Sequence, residues 1–392
     1  MADRKKIKGR LITPLRIIEN GEVCFENGRI TYAGAERSDE GAYETTDYGG
    51  LYISPGFTDI HVHGGGGHDF MDCTVDAFLG AARLHASHGT ATLLPTALTC
   101  PDEELFELFD VFEKARAAEN DGAAMPGLHL EGPYFAVSQK GAQDEKYIVA
   151  PKKEHYMKIL EKSRGSILRW SIAPELDGAF ELGRLLFQNG ILPSIGHSDA
   201  VFETAQEAFE NGFTHLTHFY SGMSGLVRKN SYRFPGLIES GYMEPGFSVE
   251  VIADGCHLPF SMLSLVYKAK GPAMTALVTD AMRGAGQTEG RTILGSLKNG
   301  YEVFIEDGVA KLPDRSAFAG SIATADRLVR NMYRNVCPLC DAVRMMTLTP
   351  ARIVGLKSKG VLAEGFDADI TVFDEDINVY ATYSMGRKVY GD

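Results

Sequence analysis

The sequence predicts an α/β protein in which a TIM-like (β/α)8 barrel carries a small β-sandwich domain built from both chain ends. Three observations lead there. Roughly the first 55 residues and the last forty are short alternating apolar pieces cut by Gly, Asn and Asp, a strand signature. The middle alternates β-branched apolar runs with amphipathic stretches of ten to eighteen residues, the pattern of βα units on a parallel sheet. Ligand-type residues then recur at the ends of those runs, where a barrel gathers its functional groups.

In chain order, N-terminal strands are expected at 7–12, 22–25, 29–33 and 51–53, with Asn27-Gly28 as a hairpin turn. Their C-terminal counterparts fall at 360–362, 370–373 and 379–385, which assigns 1–54 and 355–392 to the sandwich and 55–354 to the barrel. Barrel strands are expected at 57–63, 90–95, 127–131, 168–173, 191–196, 214–218, 247–253 and 274–279. Helical candidates between them include 75–88, 103–120, 180–189 and 200–211. A period-two segment at 291–312, with Asn299-Gly300 and Asp307-Gly308 turns, marks a β insertion at about 288–313, between the eighth strand and its helix. Eight repeats favour a closed barrel, although periodicity by itself leaves closure open.

Composition narrows the function classes. Of 392 residues 44% are hydrophobic and 23% charged, enough for a large core and against disorder. With 52 Asp+Glu against 39 Lys+Arg the formal charge is −13, which argues against nucleic acid or an anionic membrane as partner. No run approaches the ~20 apolar residues of a membrane span. The basic start (Arg4, Lys5, Lys6, Lys8, Arg10) reads as the solvated beginning of a strand rather than a secretory signal. The cysteines at 24, 73, 100, 256, 337 and 340 lack the density of a disulfide scaffold, and Cys337-Pro338-Leu339-Cys340 has no second pair to complete a four-thiolate zinc site. They read as reduced thiols in a cytoplasmic protein.

The chemistry sits at the strand ends. The first barrel strand finishes Asp59-Ile60-His61-Val62-His63, and the period of two puts His61 and His63 on one side, able to share a metal. Glu131 ends the third strand, His197 the fifth, His218 the sixth and Asp280 the eighth. A lone His-x-His is weak, and a single histidine is commonly a hydrogen-bonded core residue. Four histidines and two carboxylates from five strand ends are hard to obtain that way, so a divalent metal site is expected. Imidazole and carboxylate donors suit zinc, iron, manganese, cobalt or nickel, and without thiolates the residues do not choose among them.

The remaining histidines take blander readings. His85, His88 and His155 fall in helical stretches, His68 either lines the site or only caps a loop, and His215 competes with His218 for the strand end. His129 is a packed interior residue or a partner of a ligand. The run 64–67 is all glycine, lacks the Gly-Lys-Ser/Thr of a P-loop, and is expected to let backbone approach a metal or substrate.

Pro55-Gly56-Phe57-Thr58-Asp59-Ile60-His61-Val62-His63-Gly64 resembles the first-strand motif of the amidohydrolase superfamily. Leu130-Glu131-Gly132-Pro133-Tyr134, Gly196-His197-Ser198-Asp199-Ala200, Thr217-His218-Phe219-Tyr220, Ala253-Asp254-Gly255-Cys256-His257 and Leu277-Val278-Thr279-Asp280-Ala281 narrow the resemblance to the N-acetylglucosamine-6-phosphate deacetylase family. Ala319-Gly320-Ser321, Thr349-Pro350-Ala351-Arg352 and Gly365-Phe366-Asp367-Ala368-Asp369-Ile370 are similar to its later motifs, so the likeness runs from about residue 7 to 390. The resemblance implies Glu131, His197 and His218 as principal metal ligands, His61 and His63 in a second site that only some members fill, and Asp280 as catalytic carboxylate. It implies hydrolysis of the acetamido group of a phosphorylated N-acetyl amino sugar, a homodimer, and an arginine, here Arg233, shared across its interface.

The family's recognition residues are altered. Gln143 follows Lys140-Gly141-Ala142 where the family has a histidine, and Ser221-Gly222-Met223 replaces Asn-Ala-Met. The resemblance places Gln143, Ser221, Gly222, Arg233 and His257 around substrate, with surviving backbone N–H donors expected at 221–222. Arg228 and Lys229, in a long loop before Arg233, are solvated or compensate for the lost asparagine. A related substrate, such as N-acetylgalactosamine 6-phosphate or another amide, is the alternative. A retired hydrolase kept as a binding protein is disfavoured by the retention of every ligand position.

Overall fold

The computed structural model describes residues 4–38 and 42–391. Among the described residues, eight parallel strands follow one another round a sheet in chain order. They are β1 (Phe57–Val62), β2 (Thr90–Ala97), β3 (Leu128–Glu131), β4 (Ile167–Ile172), β5 (Leu192–Ile195), β6 (His215–Leu216), β7 (Ser248–Val251) and β8 (Thr275–Leu277). The sheet closes just beyond β8, through a parallel bridge between Val62 and Ala281 and the bonds His63 N→Ala281 O (2.8 Å) and Asp280 N→His61 O (2.9 Å). Closure is therefore made by the segments that carry candidate ligands. The closed (β/α)8 reading holds.

Helices pack outside the strands, from α1 (Val75–Ser87), after β1, to Ala325–Asn335, after β8. Thr74 caps α1 by accepting from Ala77 N, and Ala77, Phe78, Ala81, Ala82 and His85 bury one stripe. Between β8 and its helix lies an antiparallel sheet of Gly290–Leu294, Tyr301–Glu306 and Val309–Lys311, whose Leu294, Val303 and Ile305 pack on Met282 and Ala319.

The chain ends meet in one sheet. Its order is Arg387–Tyr390, Val379–Ser384, Ile370–Phe373, Glu44–Pro55, Arg4–Ile12, Ile17–Glu26, Arg29–Ala35, seven strands among the described residues. Glu44–Pro55 joins the halves, parallel to Arg4–Ile12 and antiparallel to Ile370–Phe373. The sheet folds back on itself, because Phe25 and Tyr383, from strands four places apart, meet edge to face at 5.8 Å. Ile7, Val23, Ile53, Ile370 and Val372 fill the space between the layers. The sandwich is thus two layers of one continuous sheet. No strand forms at 360–362, where Gly360 has a φ of 87° and a Cβ would meet the Leu348 backbone at 2.6 Å.

This sheet grips the barrel at the start of β2, away from the strand ends that carry the candidate ligands. Thr371 Oγ1 donates to Gly89 O (2.6 Å), Ser384 Oγ to Ala91 O (2.9 Å), and Thr92 Oγ1 to Asp369 Oδ2 (3.1 Å). Lys359, 7% exposed, bridges Asp369 (2.5 Å) and Asp367 (3.1 Å) beneath them. Removing the cation leaves buried Asp369 with no cationic partner among the described residues, while Asp367 keeps Arg29 (2.6 Å). Lys359→Ala is expected to cost about 3–5 kcal/mol, read as a lowered midpoint in urea unfolding; an unchanged midpoint would show that the bridge carries no stability.

Candidate active site

The six predicted ligand residues converge at the barrel mouth, each at or just past a strand end. Among the described residues their donor atoms form two groups, Glu131 with His197 and His218, and His61 and His63 with Asp280, all six buried. In the first group Glu131 Oε1 lies 3.1 Å from His197 Nε2 and 3.0 Å from His218 Nε2, and the two Nε2 atoms are 3.1 Å apart. In the second, His61 Nε2 and His63 Nε2 are 3.3 Å apart, with Asp280 Oδ1 at 3.4 and 3.1 Å. Glu131 links the groups, its Oε2 being 3.3 Å from His63 Nε2.

The opposite ring nitrogens reveal what the groups are built for. His197 Nδ1 faces Gln139 O (2.8 Å), His218 Nδ1 faces Ser221 O (3.0 Å), and His63 Nδ1 faces Thr96 O (3.2 Å). His61 Nδ1 faces Glu250 Oε1 (2.7 Å). Carbonyl and carboxylate oxygens only accept, so each Nδ1 carries the proton and each Nε2 turns a lone pair inward. Four imidazole lone pairs and two carboxylates then confront one another at hydrogen-bonding distance, an arrangement that repels itself without a shared positive charge. The donor set fits divalent cations, Zn2+ among them.

Electrostatics agree. Burial pushes the Glu131 carboxyl up, but His61, His197 and His218 outweigh it and hold it well below the usual range. Burial likewise opposes ionisation of Asp280, and His61 and His63 overcome it. Burial works against charge on His61, yet Asp280 and Glu131 raise it to about 9. The site demands positive charge from a proton or from an ion.

His218 and Asp280 take left-handed backbone, φ 27° and 48°, a strain of about 1–3 kcal/mol each. Bonds fix both: His218 N donates to Glu250 Oε1 (3.0 Å), while Asp280 O accepts from Ser321 N (2.7 Å). Regular β6 pairing accordingly covers only His215–Leu216, shorter than the predicted run. Asp59 ties the first strand to the last, accepting from Thr279 Oγ1 (2.5 Å) and from the backbone of His61 (3.3 Å). Burial, opposed by those donors, pushes its carboxyl up to about 7.

The cavity over both groups is lined by Gln143, Ser221, Gly222 and His257 on its polar side, and by Leu98, Leu294 and Phe318 on its apolar side. His257 is anchored by Nδ1 on Asp254 Oδ2 (2.8 Å). Gly222 must lack a side chain, since a Cβ would reach His197 Nδ1 at 2.4 Å. Gln143 lines the cavity, with one Nε2–H donating to Glu131 Oε2 (2.7 Å) and Oε1 accepting from Thr99 N (3.0 Å), so its second Nε2–H is the donor left for a ligand. Ser221 N–H is spent on His218 O (2.8 Å), so its hydroxyl is what remains for a ligand.

Arg233 does not line this cavity. It lies on an exposed hairpin, Val227–Lys229 paired with Tyr232–Phe234, where Arg228 sits directly opposite it. The glycine run does not line this cavity either: Gly64 and Gly65 form a small hairpin with His68 and Asp69, and Cβ atoms there would strike His68 O and Leu84. His85, held neutral by burial with its pKa lowered to about 4, donates Nε2–H to Gly64 O (2.9 Å). His88 meets Asp326, and His155 bridges Tyr134 and Asp102.

Sequence reasoning missed Arg169 and Glu250, both 0% exposed inside the barrel beneath the ligands. The signal was available: each is a charged residue in the middle of an otherwise unbroken strand run, Leu168-Arg169-Trp170-Ser171 and Ser248-Val249-Glu250-Val251. His129, another interior residue, bonds Ser171 Oγ (2.8 Å) and Thr96 Oγ1 (3.3 Å).

The model of the amidohydrolase family matches residues 52–389. The chain belongs to the amidohydrolase family. It is 32% identical over 377 residues to the N-acetylglucosamine-6-phosphate deacetylase of Lysinibacillus sphaericus, covering 94% of this chain and 93% of that one. It is 31% identical to the N-acetylgalactosamine-6-phosphate deacetylase of Escherichia coli O157:H7, covering 86% and 87%. Among solved structures, the N-acetyl-D-glucosamine-6-phosphate deacetylase of Mycobacterium smegmatis superposes with a TM-score of 0.90 at 28% identity, covering 98% of this chain and 100% of that one. This amidohydrolase is accordingly a hydrolase acting on an amide bond.

The engagement of Gln143 gives a prediction for the amidohydrolase site. Gln143→Leu should free Glu131 Oε2 and weaken retention of Zn2+ by about 10–100-fold, read as metal content after dialysis against graded chelator. Unchanged retention would show that the amide does not position the carboxylate.

Proposed function

We propose that this amidohydrolase removes acetate from N-acetylglucosamine 6-phosphate, giving glucosamine 6-phosphate in amino-sugar catabolism in the cytoplasm. The observation that carries the reading is the pair of inward-facing ligand groups with Asp280 beside a cavity that His257 also lines. The names of the relatives supply the substrate class. Glu131, His197 and His218 would hold the principal divalent ion, zinc by preference, and His61, His63 and Asp280 a second. Such an ion supplies Lewis acidity, polarising an amide carbonyl and lowering the pKa of water towards ~7.

The residues of the chain do the rest. Asp280 accepts a proton from the water that attacks the acetyl carbon, then returns it to the nitrogen as the C–N bond breaks, because an amine anion is too poor a leaving group. Acetate and the free amine result. His257, fixed by Asp254, faces the phosphate, aided by the Ser221 hydroxyl and by the Gly222 N–H, which has no hydrogen-bond partner among the described residues. Leu98, Leu294 and Phe318 form the apolar wall.

A homodimer supplies Arg233 in this reading. The hairpin cations Arg228, Lys229 and Arg233 have no carboxylate partner among the described residues of their own chain, and like charges stand face to face at Arg228 and Arg233. A phosphate in the neighbouring copy's cavity would relieve that repulsion. The Escherichia coli relative favours a second reading, N-acetylgalactosamine 6-phosphate, at the same site.

Acetate release from a panel of free and phosphorylated N-acetyl sugars separates these substrates, and N-acetylglucosamine 6-phosphate should give the highest kcat/KM. Asp280→Asn should lower kcat by about 10²–10⁴-fold; near-normal turnover with metal content intact would remove Asp280 from the mechanism. Arg233→Ala should raise KM, and mixing it with Asp280→Asn should restore activity, since the mixed dimer holds one complete site. No recovery after demonstrated subunit exchange would overturn the shared arginine.

A further inference from the structure

The structure assigns Glu250 a positioning role: its carboxylate, anchored by Arg169, fixes the tautomer of His61 and so builds the second of the two cation groups. This inference rests on the metal reading proposed above. Glu250 projects from β7 into the barrel interior, and four donors use up its two oxygens. Oε1 accepts from His61 Nδ1 (2.7 Å) and from the backbone N–H of His218 (3.0 Å). Oε2 accepts from Arg169 Nη1 (2.5 Å) and His215 Nε2 (3.1 Å).

His61 differs from the other three ligand histidines in one respect. His63, His197 and His218 hold Nδ1–H against main-chain carbonyls of Thr96, Gln139 and Ser221, which no side-chain substitution there removes. His61 alone depends on a side chain, and that partner is charged. A carboxylate on Nδ1 also makes Nε2 a more basic donor. The dependence therefore falls on the group of His61, His63 and Asp280, while the Glu131, His197 and His218 group meets Glu250 only through a backbone bond.

Arg169 completes the device. Its Nη1 also donates to Ile60 O (3.2 Å), the residue before His61, and its Nη2 to Thr217 Oγ1 (3.0 Å), the residue before His218. Its Nε donates to Ser194 Oγ (3.0 Å) on β5. The pair thus joins β1, β4, β5, β6 and β7 under the ligands. Neither residue itself lines the cavity, so neither is a catalytic residue.

The test is a calorimetric titration of metal-free protein with Zn2+, with stoichiometry checked by elemental analysis and the Co2+ d–d spectrum as a second readout. Wild type is expected to take two equivalents. Glu250→Gln should keep the first and bind the second about 10–100-fold more weakly. That variant leaves Arg169 buried without its counter-charge, so R169M/E250L, which removes both charges, tests the same point in a fold free of that defect. Circular dichroism and Tm confirm folding. A folded double variant that binds both ions as wild type does would overturn the assignment. Wild type taking a single ion would also overturn it while sparing the metal reading, whereas wild type taking none would overturn the metal reading itself.

Discussion

The ion pair of Arg169 and Glu250 inside the barrel is the constraint on which the mouth of this barrel depends. Both side chains are fully buried, so each would be costly without the other. Burial raises the Glu250 carboxyl, but Arg169 first and then His61 overcome it and keep it ionised. Around the pair, His215, Ser194 and Thr217 satisfy the remaining polar atoms, and His129 extends the net through Ser171. Barrels are commonly filled with branched apolar side chains. Here the layer under the mouth is polar, and its outer rim is the set of ligand histidines. Burial of an ion pair is weak evidence for stability; what this one supplies is orientation.

Much of this was legible in the sequence because a barrel imposes two simple periods. Alternation along a strand put His61 and His63 on one side, and the rule that functional groups stand at strand ends singled out Glu131, His197, His218 and Asp280. What escaped was whatever depends on contact between distant strands. Arg169 and Glu250 are separated by 81 positions, and nothing local says that they meet. The glycine run was misread for a related reason: tolerance of close approach is visible in sequence, but whether the approaching group is a ligand or the flank of α1 is not. Gln143 shows the same limit. Its amide lies where a substrate contact was expected, and nothing local in the sequence says that Glu131 and Thr99 bond it as well.

The strand ends of the terminal sheet were harder to place than the barrel because one strand does two jobs. Glu44–Pro55 pairs in parallel with one chain end and antiparallel with the other, and its register slips by several residues beside Lys8 and Arg10. Short alternating pieces cannot encode such a slip. The formal charge of −13 was likewise a coarse guide: it speaks against polyanions, yet in the proposed reading one phosphate needs only His257 at the mouth and Arg233 on the exposed hairpin.

Because each ligand imidazole is aimed by an oxygen acceptor of the protein, its orientation does not depend on the ion it faces. An arriving hydrated ion would meet lone pairs already in place, so little chain entropy remains to be lost at that moment. What is left is the exchange of the ion's own water for nitrogen and oxygen ligands, a barrier set by the ion's inner hydration shell rather than by folding of the loops.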